Sequence, residues 1–225
     1  MDLSVNFGPR RDMVCPNIIV LHYTAMLDWK MARNWLCNPD AKVSAHYIIS
    51  ECGDVVQLVP EEHRAWHAGV GSWGDITDVN SHSIGIELSN VGSAPFAARL
   101  MDALEELLPA IMDRWAIPAC RVIAHSDIAP GRKVDPGARF DWARLVRSGL
   151  AVSAVATTAV AADPHAFVRD VRTIGYTADV SAVTLLSAFR LRHRQGHYGP
   201  LDGWDCALVA DLAARFLVAK FGRTS

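Results

Sequence analysis

Three polar residues stand in two otherwise apolar settings. His22 ends the run Asn17-Ile18-Ile19-Val20-Leu21-His22, and His125 ends Arg121-Val122-Ile123-Ala124-His125. Asp135 follows ten residues later, within Gly131-Arg132-Lys133-Val134-Asp135-Pro136-Gly137. Two imidazoles and one carboxylate, each at a strand end or in a stiff loop, are a donor set for catalytic zinc. Such a zinc takes three protein ligands and keeps its fourth position for water. Taken singly, each residue has a plainer reading. A histidine closing an apolar run is commonly a hydrogen-bonded boundary residue, and an aspartate before proline is commonly a turn residue. One ligand comes from the N-terminal part and two from far downstream, so the fold has to join them.

The elements that could do so alternate in type. Residues 18–21 read as a strand buried on both faces. Residues 28–37 read as a short helix with Asp28 as N-cap, stopped by Asn38-Pro39. Residues 45–50 and 55–59 form a hairpin around Gly53. Strands follow at 83–88 and 122–124, and helices at 95–115 and 140–147, the longer one carrying Leu100, Leu104, Leu107, Leu108 and Ile111 on one face. This order predicts an α/β domain over residues 1–150, with a central mixed sheet flanked by helices. Residues 151–163 are rich in Ala, Val and Thr and carry no charge before Asp163, which reads as a linker. Helical patterns at 164–173, 179–193 and 204–220 predict a small three-helix module over 164–225. Its last two helices are separated by the glycine-rich stretch 195–203. His193 and His197 are four apart, but Gln195-Gly196 is expected to break the helix between them.

Composition narrows the function. The chain has 225 residues, of which 51% are hydrophobic and 20% charged, enough for a substantial core. A net charge of −2 gives no basic excess for phosphates, which argues against a general nucleic-acid binder. No run reaches the length of a membrane span. The first residues contain no apolar export segment, and five cysteines without a CxxC spacing suit a reducing compartment. A cytoplasmic location is expected, with a periplasmic one as the alternative if an export signal is missing from this sequence.

Five blocks in order resemble the type 2 N-acetylmuramoyl-L-alanine amidase family (AmiD- and AmpD-like), which is related to peptidoglycan recognition proteins. They are Val20-Leu21-His22-Tyr23-Thr24, Ser44-Ala45-His46-Tyr47, Arg64-Ala65-Trp66-His67-Ala68-Gly69, Ser83-Ile84-Gly85-Ile86-Glu87-Leu88, and the stretch from His125 to Gly137. The C-terminal residues Ala188-Phe189-Arg190 and Asp202-Gly203-Trp204-Asp205 resemble a peptidoglycan-binding module more weakly. The resemblance implies Zn2+ held by His22, His125 and Asp135. It also implies hydrolysis of the amide between N-acetylmuramic acid and the L-alanine of the stem peptide, with muropeptides as the molecules bound.

Two further residues could complete that chemistry. Glu87 lies in an apolar strand, where alternation sets it on the face of Gly85, whose missing side chain would leave room beside it. It reads either as a general base or as an edge-strand glutamate facing solvent. Lys133, two residues before Asp135, reads either as the cation that faces a developing oxyanion or as a solvated loop lysine. His46, Trp66 and His67 are candidates for the substrate groove. Trp66 could equally fill a core edge, and His46 could be a structural histidine. AmiD-like members are usually envelope lipoproteins, and the first residues here lack the expected lipoprotein signal, which favours instead the AmpD-like role of cell-wall recycling on 1,6-anhydro-muropeptides. An envelope or phage-type lytic amidase and a non-catalytic peptidoglycan sensor are the competing readings.

Overall fold

The computed structural model describes residues 3–216. Its centre is a five-stranded mixed sheet in the order β4-β3-β6-β2-β7. β2 (Ile18–Tyr23) lies between β6 (Ser83–Leu88) and β7 (Val122–Ala124), parallel to both. β3 (Tyr47–Ile49) is parallel to β6 and pairs antiparallel with β4 (Val55–Gln57). β2 and β6 therefore run inside the sheet with helices on both faces, which is why their sequences are almost continuously apolar. A separate antiparallel pair joins β1 (Phe7–Pro9) to β5 (His63–Ala65); strands of three residues left no usable periodicity in the sequence.

One face of the sheet is closed by α3 (Ala98–Trp115) and α5 (Trp142–Arg147). Ile19, Leu21, Ile84 and Ile86 pack there against Leu100, Leu104, Leu108, Ile111 and Leu145. The opposite face is covered from two sides. Towards β3, α1 (Trp29–Cys37) lays Ala32 and Leu36 on Ile48 and Leu58, and its N-terminus is capped by Asp28, whose carboxylate accepts the Lys30 N–H at 2.8 Å. Towards β7, Ile18, Val20 and Ile123 pack in one apolar cluster with Phe167, Val171, Leu185, Phe189 and Val209. Those residues belong to α6 (Pro164–Thr173), α7 (Ala182–His193) and α8 (Gly203–Arg215). The helices at 164–173 and up to 193 stand where the sequence places them, and α7 does end at His193. Of the last expected helix, residues 217–220 lie outside the described residues. Two one-turn helices were not foreseen: α2 (Val79–His82) leads into β6, and α4 (His125–Ile128) follows β7 directly.

The two coverings leave the C-terminal ends of β2 and β6 open between them. His22 and Glu87 occupy paired register positions there, so their side chains leave the sheet on the same face.

Candidate metal centre

His22 comes from β2, His125 is the first residue of α4, and Asp135 lies in the loop beyond it. His22 Nδ1 is 2.9 Å from His125 Nδ1 and 3.0 Å from Asp135 Oδ2, and His125 Nδ1 is 2.9 Å from the same oxygen. All three residues are buried. Among the described residues they are the group of histidine, cysteine and acidic side chains whose ligand atoms could converge on one ion.

The outer ring nitrogens determine what the inner ones can do. His125 Nε2 lies 2.9 Å from the Ala68 carbonyl, which only accepts, so that nitrogen carries the proton and Nδ1 is bare in the neutral ring. The same reasoning runs along a chain to His22. Ser83 donates its hydroxyl to the Val79 carbonyl at 2.5 Å, so its oxygen accepts from His67 Nε2 at 3.1 Å. His67 Nδ1, then bare, accepts from His22 Nε2 at 3.0 Å, and His22 Nδ1 is left bare in turn. Two lone pairs and a carboxylate oxygen thus face one point about 3 Å apart, an arrangement that is repulsive without a cation. Zinc bonds of about 2.0–2.1 Å place tetrahedral ligands about 3.3 Å apart, so an adjustment of a few tenths of an ångström seats the ion. Burial, and after it the neighbouring His125, lower the His22 pKa to about 4, which keeps the ring neutral as a ligand must be.

Glu87 stands beside this group on the central strand β6, not on an edge. Its Oε2 is buried and has no hydrogen-bond partner. Burial first and the Asp135 charge second push its carboxyl well above the usual range, with Lys133 opposing. A carboxylate tuned upward suits a group that collects and returns a proton near neutral pH. Lys133, half-buried, lines the same groove. That groove encloses about 390 Å³ above the three ligands, within the range of small-molecule sites. Trp66 forms part of its wall. Trp35 of α1, 51% exposed, forms another part, together with Tyr23 and Met26. Trp35 was missed in the sequence. Its only signal there was a large aromatic beside the buried Ala32/Leu36 stripe of a short helix.

Two expectations need correction. His46 does not face the groove: it is fully buried, with Nδ1 accepting the Gly85 N–H at 2.9 Å and Nε2 reaching the His63 carbonyl at 3.0 Å. Burial lowers its pKa to about 3, so it is a neutral histidine that ties β6 to β5. His67 reaches the groove wall, but both ring nitrogens are engaged, by His22 and Ser83, so it acts through His22. The space left by Gly85 belongs to this ring rather than to Glu87: a Cβ at position 85 would lie 2.4 Å from His67 Cγ. The Asn80 side chain fixes the segment further, accepting from the backbone N–H groups of His67 and Ala68 at 3.0 and 2.8 Å.

Residues 11–138 match the family described as N-acetylmuramoyl-L-alanine amidase. The chain is 39% identical over 149 residues to the N-acetylmuramoyl-L-alanine amidase AmiD of Escherichia coli, covering 59% of this chain and 53% of that protein. It is 33% identical over 159 residues to the 1,6-anhydro-N-acetylmuramyl-L-alanine amidase AmpD of Citrobacter freundii, covering 63% and 85%. A solved complex of E. coli AmiD with the substrate anhydro-N-acetylmuramic acid-L-Ala-D-gamma-Glu-L-Lys superimposes with a TM-score of 0.81 at 30% identity, over 95% of this chain and 93% of that one. AmpDh3 of Pseudomonas aeruginosa superimposes with a TM-score of 0.80 at 28% identity, over 99% and 97%.

Proposed function

We propose the activity from a fixed premise: this chain belongs to the N-acetylmuramoyl-L-alanine amidase family. It hydrolyses the amide between muramic acid and the L-alanine of a stem peptide, with Zn2+ held by His22, His125 and Asp135. The observation that carries the reading is the convergence of two bare imidazole nitrogens and one carboxylate oxygen at the floor of an open groove, beside an unpartnered glutamate.

When bound, zinc supplies a Lewis acid and lowers the pKa of water to near 7. The protein's own groups do the rest. Glu87 takes the proton of the attacking water at its carboxylate and returns it to the leaving amine of L-alanine, so that one residue serves both proton transfers. Lys133 presents its ammonium to the oxyanion that forms as the amide carbonyl becomes tetrahedral. Trp66 and Trp35 offer flat apolar surfaces to sugar or peptide. The chain Ser83–His67–His22 holds one ligand ring in a single tautomer, and Ala68 holds the other.

The preferred substrate in this reading is the soluble 1,6-anhydro-muropeptide, and the role is cell-wall recycling. Support comes from relatives named for the anhydro sugar and from a neighbour solved with anhydromuramic pentapeptide. A cytoplasmic setting is part of the proposal, supported by exposed thiols at Cys15 and Cys52. No helix among the described residues is long and apolar enough to cross a membrane. The helices from 164 onward form the module of the proposed organisation, after a catalytic part at 1–150 and a connector at 151–163. Mass spectrometry of products from purified sacculi and from anhydro-muropeptides tests the substrate. Faster release of peptide from the soluble substrate is expected; faster release from sacculi would move the protein to an envelope or lytic role.

A further inference from the structure

We infer that the C-terminal helical region sets the position of a metal ligand, through a clasp in which Arg192 of α7 and Tyr176, from the segment joining α6 to α7, grip Asp127. Asp127 lies two residues after His125 in the same single turn, α4, and is 0% exposed. Its Oδ2 accepts the N–H of Ala124, the residue just before His125, at 2.9 Å, and also Arg192 Nη1 at 2.9 Å. Its Oδ1 accepts the Tyr176 hydroxyl at 2.6 Å. Both oxygens are thereby satisfied, and the charge is balanced by a guanidinium 65 positions away in the sequence.

The clasp is itself held firmly. Arg192 is 6% exposed and lies 4.5 Å over the Trp142 ring, while Tyr176 is fully buried against Trp73. A helix of four residues cannot fix its own direction, because one turn leaves most of its backbone groups without helical partners. What fixes α4 must come from outside. Two contacts extend the effect to the rest of the metal loop. The Ser126 N–H donates to the Asp135 carbonyl at 3.0 Å, so the turn carrying His125 also registers Asp135. Gly131 lies so close to α7 that a Cβ there would meet Thr184 Cγ2 at 2.8 Å. The helices beyond the connector thus hold the segment between two ligands. Arg192 and Tyr176 are positioning residues, reaching the metal through α4.

The inference rests on the zinc reading above, and the experiment separates the two. Zinc affinity is measured by chelator competition on the full chain and its variants. Thermal stability of the chelated proteins and the visible spectrum of their cobalt-substituted forms are measured in parallel. Arg192→Met is expected to weaken zinc binding by about 10–100-fold, the effect typical of groups that orient ligands, and to shift the cobalt spectrum. Tyr176→Phe, which keeps the ion pair and the packing, is expected to weaken it by about fivefold, as for one lost hydrogen bond. Asp127→Asn combined with Arg192→Met removes both charges; it should recover thermal stability without recovering zinc affinity or the wild-type spectrum. Wild-type protein that takes up no zinc would fail the metal reading itself. Wild-type protein with one zinc, alongside Arg192→Met and Tyr176→Phe variants within twofold of its affinity, would overturn the clasp alone. So would a double variant whose zinc affinity returns together with its stability. If Arg192→Met does not fold, Tyr176→Phe and the double variant decide the matter.

Discussion

Replacing Gly85 by alanine should loosen the metal site without touching a ligand. The added Cβ would sit 2.4 Å from His67 Cγ and 2.6 Å from its Cδ2 and Nδ1, where ordinary contact begins at 3.4 Å. The imidazole must retreat by about 1 Å in a closely packed interior. His67 Nδ1 now accepts from His22 Nε2 at 3.0 Å and Nε2 donates to Ser83 at 3.1 Å. A displacement of about 1 Å takes at least one of these beyond hydrogen-bond range. His22 then loses the partner that fixes its tautomer and ring plane, a loss worth about 10–100-fold in metal affinity. That factor corresponds to about 1.4–2.8 kcal/mol of binding free energy. The fold pays separately: overpacking costs about 1–3 kcal/mol, against roughly 0.5–1 kcal/mol gained by removing a strand glycine. Chelator competition and calorimetry on Gly85→Ala read the two quantities independently. Adding His67→Ala to Gly85→Ala relieves the clash but leaves His22 Nε2 without its partner, so zinc affinity should stay low in the double variant. Zinc affinity within twofold of wild type in Gly85→Ala would refute the proposed relay from Ser83 to His22.

Other variants probe single roles. Glu87→Gln should keep its zinc and lose about 10²–10⁴-fold in kcat, since the amide preserves shape but cannot accept the proton; near-normal turnover of the zinc-loaded variant would remove Glu87 from the mechanism. Lys133→Met should lower kcat by about 10²–10³-fold with zinc content unchanged, and a purely KM effect would make the lysine a binding group instead. His46 contributes a pH dependence of stability. Its pKa falls from 6.5 to about 3 on burial, so the unfolded chain binds the proton first as the pH drops. Stability is therefore complete above pH 6.5 and declines as pH falls towards 3, by roughly 2 kcal/mol at pH 5 from this group alone. In chelated protein, the difference between wild type and His46→Gln isolates it: the variant should lose less stability between pH 7 and pH 5, and equal slopes would show that His46 carries no such burden.

The parts of this molecule legible in the sequence are those whose signal is local. Strands β2, β6 and β7 read from their apolar runs because both faces are buried, and α1 read from its capping residue Asp28, whose carboxylate accepts an N–H group of the first turn. His22 and His125 were identifiable because polar residues are conspicuous at the ends of such runs, and Asp135 joined them as a carboxylate in a stiff loop ten residues on. The work of His67 was hidden. It depends on the absence of a side chain at Gly85, eighteen residues away on a neighbouring strand, and on a serine hydroxyl whose direction is set by Val79. His46 sits in a block that resembles the family, and block membership does not reveal which face of the sheet a side chain meets. The clasp on Asp127 was hidden for the same reason: an aspartate just beyond an apolar run gives no sign that Tyr176 and Arg192 will close over it.

Chelated protein titrated with Zn2+ and assayed by mass spectrometry on an anhydro-muropeptide joins the metal, its ligands and the bond cleaved in one experiment. Free anhydro-N-acetylmuramic acid and a peptide beginning with L-alanine should appear in proportion to added zinc and saturate at about one ion per chain. His125→Ala, lacking one of three protein ligands, should bind the metal weakly and release neither product at that stoichiometry. Full turnover by the zinc-free chain, by His125→Ala at equal metal, or cleavage at any other bond would contradict the assignment of this site.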